Sequence, residues 1–144
     1  MTKDLRVVVD TNVVISGLLA LKNSPSSKIL AAIRHQTMIL VTSPQIIEEI
    51  EEVLYRPRIV ALTKITKEER KAFIDGLIAR SDVTAGKQLA TSVSRDSKDE
   101  KILACGREGK AEYIITGDQN LLEIATYEGI PIVTPREFIE KMGL

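Results

Sequence analysis

The sequence predicts an α/β domain: a mainly parallel sheet with helices on both faces. Three observations predict it. Short apolar runs rich in Val and Ile recur along the chain, with the length and β-branching of strands buried on both faces. Between them, apolar residues recur at helical spacing behind cap signals. Strands and helices alternate throughout, which favours crossover connections and parallel pairing.

Each element has its own signal. Leu5–Val9 is the first strand, and it stops at Asp10. Val13, Val14, Ile15, Leu18 and Leu19 follow at roughly helical spacing. Lys22-Asn23-Ser24-Pro25 is a loop whose last two residues read as N-cap and N1 of a helix through Ile33. Thr37–Thr42 is a second strand; Ser43-Pro44 repeats the cap signal for a helix from Gln45 to about Tyr55, and Pro57 breaks it. Thr66 with Glu69 is a capping box for a helix through Ala79. Between Ser81 and Ser94 the pattern gives only a short strand near Val83 and a loop around Gly86. Ser97 with Glu100 is another capping box. Glu112–Thr116 is a strand, followed by Gly117-Asp118 and a helix carrying Leu121, Leu122 and Ala125. Gly129–Val133 is the last strand, and Thr134-Pro135 with Glu137 caps the C-terminal helix. With no repeat or linker, residues 1–144 read as one domain.

Composition narrows the function. Twenty basic and twenty acidic side chains balance, so no global positive field draws nucleic acid, although a local patch remains open. Two Phe, three Tyr and no Trp argue against a base-stacking platform. The single cysteine, Cys105, rules out an intrachain disulfide and a thiol metal cluster, and reads as a buried structural residue. The apolar runs are too short for a membrane span or a secretory signal, so a cytoplasmic protein is expected. Walker, G-x-S-x-G and G-x-G-x-x-G motifs are absent.

The acids carry the chemistry. Asp10, Asp99 and Asp118 each precede apolar or small residues at i+3, i+4 and i+7, so each opens a helix on its core-facing side. In a parallel sheet the carboxyl ends of the strands share one edge, and these acids should converge there. Helix capping explains each acid taken singly. Taken together they crowd like charge, which is destabilising unless a cation joins them. On the helix after Ser43, the stripe Ile46, Ile47, Ile50, Val53 and Leu54 turns Glu48 and Glu52 to solvent. Glu49 and Glu51 flank it on opposite sides, and either could reach inward. Asp96 is a fifth candidate, or an ordinary loop residue. An oxygen-only donor set suits Mg²⁺ or Mn²⁺ rather than Zn²⁺. His35, the sole histidine, closes a helix far from these junctions.

These residues together resemble the PIN (PilT N-terminal-like) domain family over nearly the whole chain. The resemblance rests on Val9-Asp10-Thr11-Asn12, on Ser43 through Leu54 with Tyr55-Arg56-Pro57, on Arg95-Asp96-Ser97-Lys98-Asp99, and on Ile115 through Leu122. Their order and spacing look most like the toxin subgroup of prokaryotic PIN proteins, the VapC-like ribonucleases. The resemblance implies a three-layer α/β/α fold, a divalent-metal-dependent ribonuclease activity and frequent homodimers, with an antitoxin protein as a candidate partner. It matches Asp10, Glu49, Asp99 and Asp118 to the family's four acids, which selects Glu49 over Glu51, and matches Asn12 and Thr116 to polar positions beside the metal. Many relatives carry a further acid where this chain has Asn120. That places a second metal site in question unless Asp96 supplies it.

The expected function is therefore an endoribonuclease of toxin type, with RNA drawn by Arg56, Arg58, Lys64, Lys67, Arg70 and Lys71 around the helix break. Two other classes compete. One is a non-catalytic RNA-binding or protein-interaction module on the same fold. The other is a metal-dependent phosphohydrolase or receiver-like domain, which Asp10-Thr11-Asn12 disfavours because it lacks a second acid two residues on.

Overall fold

Among the described residues six strands, β1 (Arg6–Val9), β2 (Ile39–Thr42), β3 (Ser81–Val83), β4 (Tyr113–Ile115), β5 (Thr126–Tyr127) and β6 (Ile130–Val133), form one sheet in the order β3-β2-β1-β4-β6-β5. The structure is a computed structural model that describes residues 5–19, 23–87 and 97–144, the side chains of Ser97 and Lys98 apart. All pairings are parallel except β5 with β6. Among the described residues the helices are α1 (Thr11–Leu19), α2 (Pro25–Arg34), α3 (Pro44–Leu54), α4 (Pro57–Thr63), α5 (Lys67–Ala79), α6 (Ser97–Glu108), α7 (Gln119–Ile124) and α8 (Pro135–Met142). The arrangement is a three-layer α/β/α fold with a mostly parallel sheet.

The Val-rich strand β1 is central because it can be buried on both faces: Val7, Val8 and Val9 are all solvent-inaccessible or nearly so. It pairs with β2 on one side and β4 on the other. The chain leaves β1 toward β2 and returns later to β4, so the crevice between β1 and β4 is the topological switch point of the sheet, where open α/β folds bind ligands. Helix α1 starts at this edge, directly after Asp10, and packs closely on α2. A Cβ on Gly17 would stand 2.5 Å from Leu30 Cδ1, so the small residue lets α1 and α2 approach.

Several expectations hold in detail. Ser24 and Ser43 cap α2 and α3 through their hydroxyls, each with Pro at the first turn. Thr66–Glu69 and Thr134–Glu137 are complete capping boxes. Cys105 is buried, and burial pushes its thiol up to about 12. His35 caps the C-terminus of α2 on the surface. Residue Lys22 of the first loop, residues 88–94 and Asp96 lie outside the described residues.

Two elements depart from expectation. Pro57 does not simply end a helix; it stands at the first turn of α4, a position that tolerates its missing N–H. Arg56 precedes it without a side-chain cap, so no polar cap residue announces the helix. Gly129 does not open the last strand but turns a hairpin. Glu128 and Gly129 both take positive φ (48° and 81°) between Tyr127 and its partner Ile130, as a tight two-residue turn requires.

Candidate metal centre

The site grows from the end of β1. The register pairs Val9 with Ile115, so the next residues out, Asp10 and Thr116, face each other across the switch point. The ladder continues past the strands: Asp10 N–H donates to Ile115 O at 2.9 Å and Thr116 N–H to Val133 O at 2.9 Å. The Asp10 carbonyl accepts the first bonds of α1, from Val13 and Val14. Its carboxylate turns to the sheet edge instead, where Oδ2 accepts from the Thr116 hydroxyl at 2.7 Å. The same hydroxyl oxygen accepts from the N–H of Asp118 at 2.9 Å. Thr116, fully buried, therefore ties the first acid to the last.

Asp118 caps α7, its Oδ1 accepting from Asn120 N–H at 2.8 Å. It is a helix cap and a wall of the cavity at once, so the two readings of this acid are not exclusive. Asp99, in the first turn of α6, is 2% exposed. Glu49 rises from α3 on the border of the buried stripe Ile46, Ile50 and Leu54, while Glu48, Glu51 and Glu52 are exposed.

Asp10, Glu49, Asp99 and Asp118 line one small cavity of about 90 Å³, with Thr11, Asn12, Val53, Arg56 and Ile102 completing the wall. Four separate elements bring four acids to the carboxyl edge of the sheet. The crowding has an electrostatic signature. The Asp10 carboxyl is held above the ordinary aspartate range, first by burial and then by the charges of Glu49 and Asp118, against the lowering effect of the Thr116 hydrogen bond.

Two groups at the site escaped the sequence reading. Thr11 donates its hydroxyl to Glu49 Oε1 at 2.5 Å, and Lys101 Nζ, from α6, lies 3.1 Å from Glu49 Oε2. No spacing rule announces Lys101, because a helical lysine ordinarily reads as solvated. Arg56 reaches the mouth of the cavity and pairs with Glu52 at 3.0 Å. Arg70, expected to draw RNA, is 7% exposed, donates to Ile65 O at 2.6 Å and lies 5.0 Å from the Tyr55 ring centroid. It is a packing residue, since its stem and guanidinium are spent on the fold. Arg58, Lys64, Lys67 and Lys71 remain exposed.

The family model described as the PIN domain matches residues 6–120. The chain belongs to the PIN-domain family. No curated protein matches it. The matched span contains all four cavity acids and Asn120, while β5, β6 and α8 lie beyond it. PIN domains are generally nucleases and usually use divalent metals, and the donors of this PIN chain fit such an ion in kind. They are hard oxygens, clustered and partly dehydrated, with Asp10 destabilised in its charged form by burial and then by the charges of Glu49 and Asp118. Among the described residues, no three acids stand as a ready-made ligand group. Thr116 holds one oxygen of Asp10, Asn120 N–H holds one of Asp118, and Thr11 with Lys101 hold both oxygens of Glu49. Asp96 lies outside the described residues, and Asn12 is exposed at the cavity wall.

Proposed function

We propose that this PIN domain is a Mg²⁺- or Mn²⁺-dependent endoribonuclease, the toxin component of a toxin–antitoxin system, hydrolysing RNA phosphodiester bonds in the cytoplasm. The observation that carries the reading is the convergence of Asp10, Glu49, Asp99 and Asp118 on one small cavity at the switch point. These four residues would hold the cation. When bound, the cation supplies Lewis acidity toward water and neutralises charge on the phosphate.

The chain's own residues do the rest. Thr116 orients Asp10, and the α7 cap orients Asp118. Val53 and Ile102 give the cavity wall an apolar part, which would strengthen the field of the carboxylates. Arg56 places positive charge at the mouth, where an incoming phosphate arrives. The exposed Arg58, Lys64, Lys67 and Lys71 would follow the backbone of a single strand, making binding salt-dependent. The homodimer and the antitoxin belong to the proposal through the resemblance of the motif order.

One residue favours a second reading. Asn120 stands where many relatives carry a further acid, and its side chain is exposed; a non-catalytic RNA-binding or protein-interaction module would tolerate that loss. The test is cleavage of labelled single-stranded RNA, single-stranded DNA and a phosphate monoester by wild type and Asp10→Asn. Manganese-dependent RNA cleavage lost in Asp10→Asn and in excess EDTA supports the nuclease. RNA binding with no cleavage supports the module, and monoester turnover alone would point to a phosphohydrolase.

A further inference from the structure

We propose that Lys101 is a built-in cation of the site: its ammonium holds Glu49 when the cavity lacks a divalent ion and competes with that ion for the carboxylate. The inference rests on the reading of the cavity as a divalent-cation site. Its subject is a positioning residue that sets how tightly the ion is held.

The geometry is specific. Lys101 stands two residues after Asp99 on α6, yet its long stem carries Nζ across to Glu49 on α3, 3.1 Å from Oε2. Both side chains are largely withdrawn from water, at 25% and 18% exposure, so the pair is screened less than the surface pair Arg56–Glu52, at 53% and 68%. The other oxygen, Oε1, accepts from Thr11. Glu49 thus has both oxygens engaged, and it belongs to a cavity wall that, among the described residues, gathers three further acids against the single cation Arg56.

Charge balance follows from this placement. Four carboxylates face the cavity, and Lys101 answers one of them. A divalent ion that takes Glu49 competes with the ammonium for the charge of the carboxylate and then shares the neighbourhood with it, like charge beside like charge. Both effects weaken ion binding. Removing the ammonium leaves Glu49 unanswered in the ion-free protein and removes the competitor, so the ion should bind more tightly. A charge-assisted pair in a half-buried setting supports an effect of about tenfold in affinity.

The experiment is a titration of the full chain with Mn²⁺, following free Mn²⁺ by its electron paramagnetic resonance signal, for wild type, Lys101→Met, Lys101→Arg and Glu49→Gln/Lys101→Met against Glu49→Gln. Lys101→Gln replaces Lys101→Met if the latter does not fold by circular dichroism. The expected result is a dissociation constant about tenfold lower in Lys101→Met, near wild type in Lys101→Arg, and a clearly smaller tightening from the Lys101 change when Glu49 is already Gln, where only the repulsion between ammonium and ion is relieved. Unchanged affinity in Lys101→Met would overturn the proposal. So would weaker binding, which would mean that Lys101 aims Glu49 at the ion rather than withholding it. Absence of Mn²⁺ binding in every protein would overturn the cation-site reading itself, a failure distinct from equal binding in all.

Discussion

The two ends of β1 are built oppositely. At its start, Arg6 is answered by two partners: Nε and Nη2 donate to Gly109 O at 3.0 and 2.8 Å, and Nη2 reaches Asp82 at 2.6 Å. Its backbone N–H donates to Glu112 Oε1 at 3.1 Å. At its end, four residues on, Asp10 is buried beside two further acids, with the Thr116 hydroxyl and the Thr11 backbone to offset them. The first end pins the sheet to the loop after α6 and to β3. The second concentrates charge that the fold alone does not neutralise. Within one strand, the end that gathers unfavourable charge is the end where the proposed ion site lies.

Substitutions at the two ends should therefore separate activity from stability. The largest effect is expected at Asp10→Asn: RNA cleavage should fall by more than about a hundredfold, beyond what loss of a mere supporting partner of a metal site costs. Arg6→Met should leave cleavage within a few-fold of wild type yet lower stability by about 2 kcal/mol, the scale of hydrogen bonds to a charged group. Parallel initial rates and thermal melts check both. Loss of cleavage in Arg6→Met with the fold intact would erase the contrast.

Next in size is the response to metal. Binding to the folded state alone stabilises it by about 2.7 kcal/mol when free ion is about a hundredfold above Kd, so Mn²⁺ should raise the melting temperature of wild type and not that of Asp10→Asn. Without metal the order reverses. Asp10→Asn removes a buried charge and keeps the shape that meets Thr116, so it should melt at or above wild type. The same holds for Asp118→Asn, since Asn also caps helices well.

The pH dependence sharpens the point. Asp10 has a folded-state pKa above its unfolded value, so its contribution to stability is complete below the unfolded pKa and is lost as pH rises through the folded one. Metal-free wild type should lose stability across that window relative to Asp10→Asn, measured by urea melts at stepped pH. Parallel curves would contradict the crowding of charge at this end.

The smallest differences concern α3. Glu49→Gln should lose most activity, while Glu52→Gln and Glu48→Gln should change it less than about twofold, as exposed substitutions usually do little. Equal losses would mean that the cavity geometry singles out the wrong acid.

Much of this was legible in the sequence because local signals were strong. The Ser24, Ser43, Thr66 and Thr134 caps each fix a helix start through a hydrogen bond only a few residues long. Val7–Val9 could only be a strand buried on both faces. The position of Asp10 beside Thr116 follows from parallel register, a consequence of fold class. What was not legible depended on long-range geometry or on ambiguous local chemistry. Pro57 both stops and starts helices, and nothing at Arg56 decides between the two. Gly129 suits a strand end and a turn alike. The burial of Arg70 under Tyr55, and the reach of Lys101 to Glu49, depend on how α3 meets α5 and α6. Periodicity within one helix carries no information about that.

The central claim is that the carboxyl end of β1 is a divalent-cation site. Isothermal titration of wild type and Asp10→Asn with Mn²⁺, on protein stripped with chelator, tests it most directly. The account predicts saturable binding to wild type and loss of that binding in an Asp10→Asn protein that remains folded. Heats that are absent in wild type, or identical in the two proteins, would contradict it.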